Sequence, residues 1–373
     1  MIIGLLKEAE PERRVALLPE HIRLLAARKV SFLIETGAGE QSFATDAAYE
    51  EAGAGIAPRS QVIAQADLLT QVSPPDEELI RSLSPGRIWL SEYKPLWNVH
   101  LVKAFLSAGI TSFSMDSIPR STRAQAMDVL SSMATVAGYK AVLDAAAHLP
   151  SFFPMFMTAA GTIRPANVLI LGAGVAGLQA IATARKLGAQ VGAFDVRSAV
   201  REEVLSLGAR FVEVEGSVED AAAGGYAVEQ TEDYKRRQQE AINSHAAKAN
   251  VVICTAQIPG KKAPLLLPAH AVAAMQPGSV IIDLATSTGG NCELAEDNKT
   301  IVRHGVTIIG QSNYPAQMPK DASKMFGKNT ATFLELLISA DGNLNLDFND
   351  DIIRTTCITH QGTIYNERVK AII

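Results

Sequence analysis

The sequence predicts an α/β fold made of two doubly wound, Rossmann-like domains. Short apolar runs alternate with amphipathic helices in the first third of the chain, a rhythm typical of parallel sheets: "MIIGLL", "VSFLIE", "DLLTQV", "GRIWLS" and "TSFSMD". A second series of such runs follows: "ANVLILG", "QVGAFD", "RFVEV", "VVICTA", "SVIIDLA" and "VTIIGQ". The chain has 373 residues, which is more than one compact core usually supports.

The order of these segments predicts that the first domain is discontinuous. Thr122 and Gln125 have the T-x-x-Q form of a capping box, so a long linking helix is expected over residues 122–148. The tail after Asn313 contains a helix and a closing hairpin, which have no place in a completed six-stranded second domain. We therefore expect an outer α/β domain over 1–127 and 318–373. The Rossmann domain is expected over 128–317, together with the linking helix.

Composition excludes several classes of protein. The net charge of −5 gives no bulk basicity for binding nucleic acid or an anionic membrane. The three cysteines are far apart and form no C-x-x-C pair, so we expect a reducing compartment, no disulfide framework and no metal site. The N-terminal segment does not resemble a signal peptide. Residues 145–163 are apolar but interrupted by Pro150 and Pro154, which predicts a buried helix end and a connector, not a membrane span.

The segment "VLILGAGVAGLQAIATARKLGAQVGAFDVR" is a dinucleotide-binding fingerprint in its expected context. Glycines at its first, third and sixth loop positions permit a tight turn, close approach of a pyrophosphate, and packing of the helix on the strand. These loop residues are Gly172, Gly174, Val175, Ala176 and Gly177. The next strand ends in Asp195, where a carboxylate can accept hydrogen bonds from adenosine ribose hydroxyls. The sequence therefore predicts that the chain binds a dinucleotide.

Two residues bear on which dinucleotide is bound. The charge of Asp195 disfavours a 2′-phosphate and therefore favours NAD over NADP. Arg197 is the counter-argument, because an arginine there can receive a 2′-phosphate.

Residues 215–245 interrupt the Rossmann pattern after its third strand. Gly224 and Gly225 precede Tyr226, a combination that suits a hinged lid closing over a nucleotide. A surface insertion without that function explains the same composition equally well.

Several segments resemble the NAD(H)-binding alpha-subunit component of the proton-translocating nicotinamide nucleotide transhydrogenases. They are "IPRSTRAQAMDVLSSMATVAGYKAV", "MTAAGTIRPANVLILGAGVAGLQAIATARKLGA", "AGGYA", "IPGKKAPLLL" and "GSVIIDLATSTGGNCE". The resemblance covers nearly the whole chain, and the segment from Arg120 to Asp128 is specific to that group. Alanine dehydrogenase is similar in organisation and shares the pattern formed here by Lys7, Glu8 and residues 14–19.

The transhydrogenase resemblance implies a function and an assembly. The chain would bind NADH in a cleft between its two domains and pass hydride to NADP(H) held on a partner subunit. Proton translocation would belong to a separate membrane-spanning subunit. The chain itself would be a homodimer, peripheral on the cytoplasmic side of the inner membrane.

The resemblance also implies roles for individual residues. The nicotinamide-side residues would be Arg120, Gln125, Asp128 and Ser131. Pyrophosphate and adenosine would be held by the glycine loop and by Asp195, Val196 and Arg197. A mobile loop would contribute Gly225, Tyr226 and Gln238. Gln257 departs from the apolar residue common in that family, so contacts near the adenine or ribose are expected to differ.

The residues also separate a hydride relay from a substrate dehydrogenase. A dehydrogenase acting on amino or hydroxy acids needs a general acid or base and a cation for the substrate carboxylate. Gln71 and Ser73 stand where alanine dehydrogenase-like proteins carry a lysine, Lys94 is not at the matching place, and the segment "LATSTGG" lacks their aspartate.

Transfer between two nicotinamides needs only orientation of the rings and exclusion of water. We therefore expect Gln125 to bond the nicotinamide-side ribose or carboxamide and Asp128 to pair with Arg120. An alanine dehydrogenase-like enzyme and a non-catalytic NAD-binding module remain the alternatives.

Overall fold

The computed structural model describes residues 1–214, 216, 230–258 and 260–373. It divides into two compact units, one formed by residues 1–133 and 315–373 and the other by residues 134–314. Each unit contains a mainly parallel sheet with helices between its strands. The predicted α/β class, with a discontinuous first domain, is confirmed.

The strands are, in chain order, β1 (Ile2–Leu5), β2 (Ser31–Glu35), β3 (Gly55–Ala57), β4 (Leu68–Thr70), β5 (Ile88–Ser91), β6 (Thr111–Ser114), β7 (Phe156–Thr158), β8 (Gly161–Ile163), β9 (Asn167–Leu171), β10 (Gln190–Phe194), β11 (Arg210–Phe211), β12 (Val251–Cys254), β13 (Val280–Asp283), β14 (Lys299–Arg303), β15 (Val306–Gly310), β16 (Cys357–His360) and β17 (Thr363–Ile364).

The α-helices are α1 (Pro19–Leu25), α2 (Asp46–Glu51), α3 (Arg59–Gln65), α4 (Glu77–Ser82), α5 (Val99–Ser107), α6 (Val129–His148), α7 (Val175–Lys186), α8 (Arg201–Ser206), α9 (Glu232–Ala246), α10 (Ala269–Ala273), α11 (Pro319–Leu337), α12 (Asp351–Thr356) and α13 (Glu367–Lys370).

The first unit is built on a sheet with the strand order β17-β16-β6-β5-β4-β1-β2-β3. Strands β1 to β6 pair in parallel, and β16 pairs antiparallel with β6. The C-terminal strands therefore extend the sheet formed by the N-terminal segment. Buried aromatic side chains pack on it, among them Trp89, Tyr93 and Phe105. Parallel strands place their carboxyl ends at one edge, so the loops after β1, β4, β5 and β6 meet there.

The second unit contains a sheet with the order β11-β10-β9-β12-β13-β15-β14. All its neighbours pair in parallel except β14 and β15. The central strands β9, β12 and β13 are almost wholly buried, as expected for strands covered by helices on both faces. β14 is an antiparallel strand outside the predicted series.

Two local predictions were wrong. The linking helix begins at Val129, not at Thr122, because Asp128 is extended and its carboxylate accepts the Ser131 amide. Gln125 instead lies in a short 3₁₀ turn over Gln125–Met127, so Gln125, Asp128 and Ser132 do not form a stripe on one helix. The connector after α6 contains the β7–β8 hairpin, whose residues are all exposed.

Candidate functional site

The glycine loop of the second unit connects β9 to α7 and contains two glycines that no larger residue can replace without movement. Gly172 has a φ of +101°, and a Cβ there would lie 2.8 Å from Thr255 Oγ1. A Cβ on Gly177 would lie 1.9 Å from the carbonyl oxygen of Gly172. The backbone therefore turns tightly and packs closely on itself, as the fingerprint predicts.

Gly174 differs from these two glycines because the space above it is open. Its extended backbone, with φ −77°, suits any residue, and Arg197 Nη2 lies 4.0 Å from the position of an added Cβ. Gly174 is also the N-cap of α7 and has no side chain to bond the amides of the first turn. Those amides and the positive end of the helix dipole favour an anion. The loop therefore suits a pyrophosphate group.

Asp195 follows β10 directly and holds the glycine loop in place. Its Oδ2 accepts the Ala173 amide at 2.7 Å, and its Oδ1 accepts the Arg197 amide at 2.9 Å. The Arg197 side chain adds a bond from Nε to Oδ1 at 2.9 Å and one from Nη2 to Oδ2 at 2.7 Å. Val196 lies between them and packs against the core. The structure thus brings Asp195, Arg197 and the glycine loop together.

The loops after β12 and β13 are tied to one another by Asn291, which the sequence analysis missed. Asn291 is fully buried, and its Nδ2 donates to the carbonyls of Ala256 and Pro264 at 2.9 and 2.8 Å. Its Oδ1 accepts the Ala256 amide at 3.0 Å. Beside it, Gln257 donates to the Leu284 carbonyl at 2.9 Å. A polar side chain after paired glycines was the only signal for this role.

Thr255 connects this pair of loops to the glycine loop. Its hydroxyl donates to the Gly172 carbonyl at 2.8 Å. Asp283, also buried, accepts the amides of Ala285, Asn291 and Cys292, each at 2.8 Å. The carboxyl ends of β9, β12 and β13 are thereby held as one hydrogen-bonded edge, which is where open α/β sheets bind ligands.

Gly138 is a further residue that the sequence analysis missed. It lies in α6, where a Cβ would be 2.1 Å from the Ala176 carbonyl oxygen. The missing side chain lets α6 touch the first turn of α7. The long helix therefore supports the glycine loop from outside the fingerprint segment.

In the first unit, the polar segment between β6 and α6 contains the four residues predicted to act on the nicotinamide. Arg120 and Gln125 are exposed. Asp128 Oδ1 accepts the Ser131 amide at 2.9 Å, and its Oδ2 accepts the Ser131 hydroxyl at 2.6 Å. Asp128 therefore acts as the cap of α6. Its pairing with Arg120 stays a prediction.

Other residues hold this segment in place. Arg123 makes two bonds to Asp350, from Nη1 to Oδ2 at 2.6 Å and from Nη2 to Oδ1 at 2.7 Å, and also contacts Asp351. These bonds lower the pKa of Asp350. Asn329 Nδ2 donates to the Ala126 carbonyl at 2.8 Å. The turn around Gln125 is thus fixed by residues that lie more than 200 positions away in the chain.

Charged side chains occupy the carboxyl edge of the first sheet. Arg14 is buried and paired with Glu12, with Nη2 2.7 Å from Oε2, and lies near Glu8 and Glu92. Burial opposes the charge of Arg14, but the hydrogen bond from Arg14 to Glu12 outweighs it, so the pKa of Arg14 is raised. Lys94 lies 3.8 Å from Glu92.

Two carboxylic acids at this edge have raised pKa values. Burial raises the pKa of Glu8 to about 7, against the opposing bonds from the Val72 and Ser73 amides. Burial likewise raises the pKa of Asp116 to about 6, with a contribution from Glu92. Gln71, one of the two residues at the expected lysine position, is buried and donates to the Ser73 carbonyl at 2.9 Å.

The remaining predicted site residues are less defined. Gln238 lies partly buried in α9, and its role stays a prediction. Gly225 and Tyr226 lie outside the described residues. Within the described ranges, no group of three or more His, Cys, Asp or Glu side chains is arranged to hold a metal ion. Over the same residues, none of the helices combines the length and hydrophobicity needed to span a bilayer.

Comparison with known families covers nearly the whole chain. The model for "Alanine dehydrogenase/PNT, N-terminal domain" matches residues 4–137, and that for "Alanine dehydrogenase/PNT, C-terminal domain" matches residues 141–367. The chain belongs to the alanine dehydrogenase/PNT family. The resemblance drawn from the sequence motifs is confirmed, and relatives are found in both branches of the family.

The relatives place the chain with the transhydrogenases of this family. It is 43% identical to the first of the chains that form NAD(P) transhydrogenase subunit alpha in Rhodospirillum rubrum, over 98% of this chain and 97% of the relative. An alanine dehydrogenase of Mycobacterium tuberculosis is 29% identical over 96% and 92% of the two chains. The solved transhydrogenase of Sinorhizobium meliloti has 40% identity and a TM-score of 0.89, covering 98% of this chain and all of its own. The chain is therefore an oxidoreductase of the transhydrogenase family.

Proposed function

We propose that this chain is the NAD(H)-binding subunit of a proton-translocating NAD(P) transhydrogenase. It transfers hydride directly between NADH and NADP⁺ bound on a partner subunit and is catalytic only with that partner. A separate membrane-spanning subunit couples the reaction to proton translocation. The chain is peripheral on the cytoplasmic side of the inner membrane. The names of the relatives support a role as one subunit of a larger complex.

In this proposal the second unit holds the adenosine and pyrophosphate portion of NAD(H). The open backbone at Gly174 and the N-terminal amides of α7 receive the pyrophosphate. Asp195, 22 residues after Ala173 in the chain and bonded to it, accepts from the adenosine ribose. Gln257 and Gln238 complete the nucleotide-binding set, with Gly225 and Tyr226 on the loop.

In the first unit, Arg120, Gln125, Asp128 and Ser131 orient the nicotinamide. Hydride passes from C4 of the reduced ring to C4 of the oxidised ring, and no proton is exchanged with a side chain. Gln125 is exposed at a turn that Asn329 and Arg123 hold rigidly, so it can present a directional amide to a ribose or carboxamide. Asp128 and Ser131 fix the start of α6 beside it.

One observation favours the relay over an amino-acid dehydrogenase. Arg14 lies buried at the carboxyl edge of the first sheet, where a substrate carboxylate would need a cation, but Glu12 neutralises it and Glu8 and Glu92 surround it. Lys94 is likewise paired with Glu92. An additional carboxylate would meet an acidic environment there and would have to break a buried ion pair. This edge is unsuited to alanine or pyruvate.

The experiment that tests the proposal compares two assays of the purified chain. In the first, the chain is mixed with the NADP(H)-binding domain of a transhydrogenase, and NADH and an NADP⁺ analogue are supplied. In the second, the chain alone receives NADH, pyruvate and ammonia. We expect turnover only in the first assay. Oxidation of NADH by pyruvate and ammonia without the partner would contradict the relay.

The proposal includes a homodimer, and the β7–β8 hairpin is the surface that best suits it. Phe152, Met155, Phe156, Met157 and Ile163 are all large apolar residues with more than two-fifths of their surface exposed. Such a concentration on a solvated surface is typical of an interface. Met157→Asp should turn a dimer into a monomer in light scattering, whereas Val302→Asp, an exposed apolar control on β14, should not. A Met157→Asp variant that keeps the dimer would exclude the hairpin as the interface.

A further inference from the structure

The carboxylate of Asp195 is saturated with protein donors. A carboxylate offers about four lone-pair positions. Four N–H groups donate to this one: the Ala173 amide, the Arg197 amide, Arg197 Nε and Arg197 Nη2. A ribose hydroxyl can therefore donate to Asp195 only by replacing one of these donors.

The two donors of the Arg197 side chain are the replaceable ones. The Ala173 and Arg197 amides belong to the backbone of the glycine loop and of the segment after β10, and they are fixed by the fold. The Arg197 side chain is one-quarter exposed, whereas that of Asp195 is 7% exposed. A long, partly solvated side chain can rotate away at small cost, whereas a buried backbone amide cannot.

Arg197 also has a second anion-binding position within reach. Its Nη2 lies 4.0 Å from the point where a Cβ on Gly174 would be, so the guanidinium lies over the open side of the glycine loop. Gly174 is the N-cap of α7, the helix end suited to a pyrophosphate. A guanidinium leaving Asp195 therefore meets the phosphate oxygens of the same nucleotide.

We propose that Arg197 is a specificity-determining residue that competes with the adenosine ribose for Asp195 and screens the charge of that carboxylate from a 2′-phosphate. This inference rests on the adenosine site of the proposed function. Binding of a ribose exchanges two guanidinium bonds for two hydroxyl bonds, so Arg197 lowers affinity for the ribose. A 2′-phosphate instead gains from Arg197, because the pair of Asp195 and Arg197 is neutral whereas Asp195 alone would repel it.

The test uses two small probes that lack the pyrophosphate, adenosine and adenosine 2′-monophosphate, measured by titration calorimetry on the full chain. Arg197→Met removes the guanidinium and keeps the aliphatic stem. We expect adenosine to bind about fivefold more tightly to this variant, the change for roughly one hydrogen-bond exchange. We expect adenosine 2′-monophosphate to bind about tenfold more weakly, because Asp195 is unscreened.

Arg201→Met is the matched control, because Arg201 follows four residues later and bonds Glu213 on an exposed surface. It removes the same charge and should leave both affinities unchanged. Arg197→Lys keeps the charge with a single donor group, and it should bind adenosine more tightly than the wild type but retain the affinity for the 2′-phosphate. Circular dichroism of each variant establishes that it folds.

The outcomes separate the inference from the function on which it rests. Unchanged or weaker adenosine binding in both Arg197→Met and Arg197→Lys would overturn the competition. Equal losses for both probes would show that Arg197 is a simple ligand, which also overturns it. If wild-type chain binds neither probe, and Asp195→Asn makes no difference, the adenosine site itself is wrong and the proposed function fails with it.

Discussion

The backbone amide of Ala173 donates to Oδ2 of Asp195 at 2.7 Å, which joins the glycine loop to the end of the next strand. Asp195 thus orders the loop as well as carrying the charge predicted to meet a ribose. Both roles follow from one position, because parallel strands β9 and β10 end at the same edge of the sheet.

Asp195→Asn should weaken NADH binding at least about tenfold, because a neutral amide offers one acceptor instead of two and its NH₂ group faces donors. NADH fluorescence titration measures the affinity. Glu202→Gln, an exposed change in α8, is the control and should bind NADH as the wild type does. Wild-type affinity in Asp195→Asn would remove this residue from the site.

Two glycine-to-alanine changes in the loop should have opposite effects. Gly177→Ala places a methyl group 1.9 Å from the Gly172 carbonyl oxygen and should lower the free energy of unfolding by about 3 kcal/mol. Gly174→Ala meets only the Arg197 side chain at 4.0 Å and should change stability by less than about 0.5 kcal/mol. Its methyl group nevertheless occupies the path of the pyrophosphate.

Chemical denaturation and NADH titration of both variants check this pair. Gly174→Ala should remain stable and lose NADH affinity by about tenfold or more. A stable Gly174→Ala variant with unchanged affinity would mean that the pyrophosphate binds elsewhere.

Gln125→Asn shortens the side chain predicted to position the nicotinamide, without changing its chemistry. We expect the rate of hydride transfer to fall by at least about tenfold, while NADH affinity changes little, since misplacement by one methylene affects the transition state more than binding. Stopped-flow transfer with the partner domain and equilibrium NADH titration separate the two. Gln61→Asn on the exposed face of α3 should behave as the wild type. Equal losses of rate and affinity would contradict a positioning role.

Glu8 should make stability depend on pH. Its pKa rises from an ordinary value near 4.5 to about 7 in the folded chain, so between these values the folded state holds a proton that the unfolded state has released. The folded chain is therefore stabilised below pH 4.5 and loses that contribution as pH rises through 7, by up to about 3 kcal/mol. The groups facing Glu8 are Glu12, Arg14 and the amides of Val72 and Ser73.

Glu8→Gln should remove this pH dependence. Denaturation at pH 5 and pH 8 should show that the variant gains stability relative to the wild type as pH rises, whereas Glu50→Gln, an exposed change in α2, should not. A constant difference between Glu8→Gln and the wild type across this range would show that Glu8 titrates near its ordinary pKa.

The parallel strands of both units could be predicted because their residues are buried on both faces and therefore form continuous apolar runs. β14, with the sequence "KTIVR", is mostly exposed and lies at the edge of its sheet, so it has no such signal. β3 has only three residues and was missed for the same reason. The hairpin of β7 and β8 carries an apolar sequence on an exposed surface, which sequence reasoning assigns to the interior.

The glycine loop and Asp195 could be located because local spacing defines them. The support of the polar segment could not, since it depends on contacts distant in sequence. Thr122 and Gln125 matched a capping box, but Asn329 holds the Ala126 carbonyl and Asp128 caps α6 instead. Asn291 and Gly138 act through neighbours brought close only by the fold. Local pattern therefore predicted the binding loop but not the groups that hold it.

Direct hydride transfer is the central claim, and an isotope experiment tests it most directly. The chain is mixed with NADH deuterated at the transferring C4 position and with a transhydrogenase NADP(H)-binding domain loaded with NADP⁺, and the NADPH formed is analysed by mass spectrometry. We predict that the deuterium passes fully to NADPH and that none forms without the partner domain. NADPH that carries hydrogen from the solvent, or that forms equally well without the partner, would contradict the account.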